Sequence, residues 1–90
     1  MRQVKVAGAS DASHVAGAIS GMIRSGKQVA TISVGADSIR QAVRAIALSR
    51  EFLRPDGIAV TMQPANVEVD MEGKTRVAVQ INVVWASTEK

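Results

Sequence analysis

Apolar and polar positions separate most sharply between Gly35 and Pro55, in GADSIRQAVRAIALSREFLRP. At about 100° per residue, Ile39, Ala42, Val43, Ala45, Ile46, Leu48, Phe52 and Leu53 fill one broad arc of a helix. Arg40, Arg44, Arg50 and Arg54 fill the opposite arc, with Ala47 and Glu51 among them. Asp37 and Ser38 are natural N-caps, and Ser38 with Gln41 three residues on makes a capping box. Pro55 ends the helix, because the residue before a proline disfavours the helical region. One face of this helix is core. The other is an arginine stripe, which reads either as a solvated face or as a contact surface.

The remaining elements follow from the same pattern. Arg2 to Ala7 alternates around Val4 and Val6 and predicts a short strand. A first helix starts at Ser10 or Asp11 and runs to Ser25-Gly26, with Gly26 as the residue past its end. Its stripe is Ala12, Val15, Ala16, Ile19, Met22 and Ile23. Its back carries Ser13, His14, Gly17, Ala18, Ser20 and Gly21, where a solvated helix usually carries Lys and Glu. That run of small residues reads either as a self-association face or as a weak helix held by its packing. Gln28 to Val34 predicts a second strand, so strand, helix and strand form a parallel crossover. Ile58, Val60 and Met62 alternate after the turn Pro55-Asp56-Gly57. Pro64 then bends the strand or marks a sheet edge.

Val67 to Met71 and Val77 to Trp85 alternate around a hairpin tip, Glu72 to Arg76. Pairing the two apolar rows on one face requires a loop of three or five residues, with Val69 opposite Val79 and Met71 opposite Val77. Glu72 then faces Arg76. Glu68, Asp70, Arg76, Ala78, Gln80 and Asn82 form a wet side. The tail Ser87 to Lys90 is expected to fray. The order is β-α-β-α-β-β: an α/β two-layer (α+β) fold, with two helices packed on one face of a four-stranded mixed sheet and an extended C-terminal hairpin.

Composition narrows the function. Ninety residues, 47% of them hydrophobic, make a single domain, 1–90. Phe52 and Trp85 are the only aromatics, so the core is aliphatic. No apolar run reaches the roughly 20 residues of a membrane span, and no signal peptide is visible. The absence of cysteine excludes disulfides and thiolate metal sites and fits a cytoplasmic protein. The net charge of +3 is compatible with nucleic acid, though its placement matters more than its size.

Catalytic chemistry finds little footing. His14 is the only histidine, and it stands beside a helix cap. Asp11 and Asp37 read as caps. Glu68, Asp70 and Glu72 read as a solvated strand face. Gly8 and Gly35 lie in strand-to-helix turns, where backbone N–H groups hold anions. Neither turn matches a phosphate-binding fingerprint. The expectation is no enzyme, no cofactor, no metal and no small-molecule substrate.

Two stretches, HVAGAISGMIRSG (His14 to Gly26) and VGADSIRQAVRAIALSREFLRPDGI (Val34 to Ile58), resemble the stage V sporulation protein S family. Val4-Lys5-Val6 and Pro64-Ala65 fit it too. The second stretch is similar, more distantly, to the Alba chromatin proteins. The resemblance implies an Alba-like fold, a homodimer, nucleic-acid binding (DNA or RNA) of low sequence specificity, and a role in sporulation or development. Two departures stand out. Ala9, Ser10 and Asp11 occupy the turn where those families carry lysine. Val34 stands where Alba proteins carry arginine. Lys74 and Arg76 at the hairpin tip, with Arg40 and Arg44 on the second helix, are the implied nucleic-acid contacts. The alternative is a protein-interaction or assembly module that has lost this binding.

Overall fold

The computed structural model describes residues 1–88. Its elements are β1 (Arg2–Lys5), α1 (Ala12–Arg24), β2 (Val29–Ser33), α2 (Ala36–Leu53), a 3-10 turn (Arg54–Asp56), β3 (Ile58–Met71) and β4 (Lys74–Ser87). The predicted element order holds. Asp11 caps α1, its carboxylate accepting from the Ser13 N–H at 2.9 Å. Gly26, at φ 77°, closes the helix in the left-handed region that a side chain disfavours.

At α2 the capping box does not form. Gly35 is the N-cap and provides no side-chain bond. The helix begins at Ala36, so Ser38 lies in its first turn. There it is buried, and its hydroxyl donates to the carbonyls of Val34 and Gly35. A small hydroxyl inside the turn satisfies itself on the preceding chain, so it does not cap the N–H groups ahead of it. At the other end α2 stops at Leu53, and Pro55 is accommodated in the 3-10 turn.

The sheet order is β1-β2-β4-β3. β1 pairs parallel to β2, while β4 pairs antiparallel to both β2 and β3. Pro64 lies on β3, an edge strand, where a missing N–H costs no ladder bond on the outer side. The core fills the space between sheet and helices. Ala16, Ile19 and Ile23 of α1 and Ala42, Ala45, Ile46 and Leu53 of α2 meet Val29, Val60, Ile81 and Val83. The helical arc of α2 is narrower than its periodicity suggests. Val43 and Phe52 are exposed, and Ile39 and Leu48 are half-buried. Small residues take their place, with Ser49 fully buried and donating to the Ile46 carbonyl at 2.7 Å. Small side chains there let the sheet and α1 approach more closely than a leucine face would.

Arg24 and Trp85 secure the ends of the elements. Arg24 Nε meets Asp56 Oδ2 at 2.6 Å and Arg24 Nη2 donates to the Phe52 carbonyl at 2.9 Å, tying the end of α1 to the end of α2. Trp85 Nε1 donates to the Lys27 carbonyl at 3.2 Å. The expected fraying does not begin at Ser87. That residue belongs to β4, and Thr88 bonds to the Gly57 carbonyl through both its N–H (2.6 Å) and its hydroxyl (2.8 Å). The rest of that expectation, on Glu89 and Lys90, lies outside the described residues.

Candidate functional site

The hairpin does not have the register expected of it. Met71 pairs with Lys74, Val69 with Arg76 and Val67 with Ala78, around a two-residue turn, Glu72-Gly73. Both turn residues are left-handed, at φ 53° and 76°. Such turns match the right-handed twist of the flanking strands, and a three- or five-residue loop is not needed. The physical reason for the shift sits at Pro64. Ile58, Val60 and Met62 are even-numbered, whereas Val67, Val69 and Met71 are odd-numbered. β3 runs from Ile58 to Met71 with every residue in register against β4, without a bulge. Burial of Val60 against the helices therefore turns Val67, Val69 and Met71 to the opposite face.

This register sorts the charges. Glu68 and Asp70 share the helix-side row with Val77 and Val79. Lys74 and Arg76 share the other row with Met71, Val69 and Val67. Glu72 is a turn residue and does not face Arg76. Across the ribbon, Asp70 accepts from the Thr75 hydroxyl at 3.2 Å.

The hairpin projects well past the rest of the sheet. β2 pairs with β4 only as far as Val79, opposite Ser33, and residues 67–78 extend beyond as a two-stranded ribbon. The molecule is 48 Å long but only 22 and 17 Å in its other dimensions. Its long axis matches a 14-residue hairpin at about 3.3 Å per residue. Lys74 and Arg76 are exposed on this projection, and neither is in an ion pair among the described residues.

The helix arginines are placed differently. Arg40 and Arg44 are exposed on the outer side of α2. Arg40 Nη2 lies 3.4 Å from Asp37 Oδ1, and Arg54 pairs with Glu51 at 3.1 Å. Arg44 and Arg50 have no such partner among the described residues. The two predicted pairs thus come from separate elements. The fold places Arg40 and Arg44 on the helix layer, and Lys74 and Arg76 in a row facing away from it.

Next to the hairpin, the β1–α1 turn packs on the start of α2. A Cβ on Gly8 would stand 3.0 Å from the Asp37 Cβ, a tight contact that a side chain there would relieve only by shifting one of the two segments. Ala9, Ser10 and Asp11 in that turn bring no cation. His14 is exposed on α1, and Gly17 and Gly21 face open space. Among the described residues, no group of three or more His, Cys, Asp or Glu is placed to hold a metal ion, and no helix is long and apolar enough to cross a membrane.

A residue that sequence reasoning passed over is Lys5. It lies on β1 in register with Ile32, which pairs with Gln80, and so stands in the same row as Arg76. Its alternation with Val4 and Val6 was a signal that it faces away from the core.

Comparison with known proteins agrees with this architecture. The family model for Stage V sporulation protein S (SpoVS) matches residues 2–86. Among solved structures, the chain is similar to Alba from Thermoplasma volcanium, with a TM-score of 0.62 and 13% identity, covering 94% of this chain and 99% of that one. The fold is Alba-like.

Proposed function

The chain belongs to the stage V sporulation protein S family, and from that premise we propose that it is a small cytoplasmic homodimer that binds nucleic acid with low sequence specificity in a sporulation or developmental programme. The observation that carries this reading is the projecting hairpin. Lys74 and Arg76 stand exposed on it, in a row that contains no acidic residue. Cations on a long ribbon reach along a polyanion and bind its phosphates, which gives affinity without base readout. Arg40 and Arg44 stand on the helix layer, away from this row, and would meet a separate stretch of nucleic acid. With Phe52 and Trp85 as the only aromatics, stacking of unpaired bases is not the mode of recognition. A second copy covers part of the apolar surface left exposed at Val77 and Met62 of the hairpin and at Phe52 and Val43 of α2.

A second reading, an assembly module without nucleic-acid binding, is favoured by one observation: the turn beside α2 carries Asp11 and no base. Fluorescence-anisotropy titration of labelled duplex DNA and RNA, at low and physiological salt, separates the two. Under the proposed function, binding falls steeply with salt, and Lys74→Ala with Arg76→Ala weakens it on every sequence tested. Absence of binding at low salt overturns the proposal in favour of the assembly module.

A further inference from the structure

Helices cover one face of the sheet and leave the other open, and the register partitions the charged residues between the two. On the open row stand Lys5 of β1 and Lys74 and Arg76 of β4. Both acidic residues on described strands, Glu68 and Asp70, belong to the helix-side row. Between the cations the open row carries uncharged amides. Gln3 donates to Gln80 at 3.4 Å and Gln80 donates to Asn82 at 3.0 Å, linking β1 to β4 over the small Ala30. Val69 and Met71 of the hairpin line one groove together with Gln3, Lys5 and Ile32. Asp70 reaches the groove from the other row, its carboxylate held by the Thr75 hydroxyl.

We propose that this open face is the surface on which a nucleic-acid duplex lies, with Lys5 as a phosphate contact in addition to those of the hairpin. The inference rests on the nucleic-acid reading above and deepens it. Charge complementarity selects the occupant, since the charged residues of this face are cations, set among neutral amides and apolar residues such as Val67, Val69 and Met71, with no acid except Asp70 at the groove. The absence of aromatics from the open row selects a duplex held by its backbone over a stacked single strand. Lys5 is two strands from β4, in line with Gln80, and Arg76 is four residues further along β4 on the same face.

The test is anisotropy titration of a labelled DNA duplex over a salt series, with wild type, Lys5→Ala, Lys5→Arg and, as an equal-charge control off this face, Lys27→Ala. Lys5→Ala is expected to weaken binding and to reduce the salt slope by about 1, with Lys5→Arg close to wild type and Lys27→Ala unchanged. Circular dichroism checks that each variant keeps its fold. If Lys74→Ala and Arg76→Ala weaken binding while Lys5→Ala equals wild type, the open-face inference is overturned and the nucleic-acid reading stands. If wild type binds single strands and not duplexes, the open-face inference is likewise overturned. If wild type binds no nucleic acid at low salt, both fall together.

Discussion

Val69 stands directly opposite Arg76 across the hairpin. The pair means that the ribbon has no purely wet side and no purely apolar one. One side combines valines with acids, and the other combines Val67, Val69 and Met71 with bases. It also rests on Glu72 holding φ 53° in a two-residue turn with Gly73. A left-handed conformation costs an ordinary side chain about 1–2 kcal/mol, and asparagine tolerates it better. Glu72→Asn is therefore expected to stabilise the protein by about 0.5–1 kcal/mol, and Gly73→Ala to destabilise it by about 1 kcal/mol. Urea unfolding midpoints measure both. Two silent substitutions would mean that a longer loop closes the hairpin.

Thr31 is fully buried on the helix side of β2, and its hydroxyl has no hydrogen-bond partner among the described residues. Valine has the same shape and removes the unsatisfied group. Thr31→Val is expected to stabilise the fold by about 1 kcal/mol. A drop in the unfolding midpoint would show that the hydroxyl is satisfied after all.

Glycines at two positions make opposite forecasts. A methyl at Gly8 would stand 3.0 Å from the Asp37 Cβ, an atom on the rigid first turn of α2. Gly8→Ala should cost about 1–2 kcal/mol as the turn is displaced. Gly21 is mid-helix with nothing within 4 Å of a Cβ, so Gly21→Ala should stabilise α1 by about 1 kcal/mol. Thermal melts compare the two. Sedimentation of the Gly21→Ala protein shows in addition whether the small-residue back of α1 supports self-association, which a methyl would then impair.

Arg24 joins α1 to the end of α2 through Asp56 and the Phe52 carbonyl. Both charged side chains remain partly exposed, at 49% and 39%, so solvent screens the pair. Arg24→Ala is expected to cost about 0.5–1 kcal/mol. The loss should shrink in high salt as far as it is ionic, and denaturant titrations at two salt concentrations measure it.

What the sequence determined by itself is the set of elements that local physics controls. Asp11, Gly26 and Pro55 mark helix ends because caps and ring sterics act within a few residues, and period 3.6 identified α1 and the core side of α2. The resemblance carried in the two helical stretches led to the family and the Alba-like fold, because it lies in packing positions. Tertiary structure decided what period 2 leaves open. Each alternating segment of the hairpin allows either face to the core. The choice depended on Val60 meeting the helices and on β3 passing Pro64 without a bulge, a constraint that acts between segments far apart in the chain. That single register separated Lys74 and Arg76 from the acids and brought Lys5 into their row. The burial of Ser38 and Ser49 in place of Val43 and Phe52 was likewise set by how closely sheet and helices approach, a distance that no stretch of the chain encodes alone.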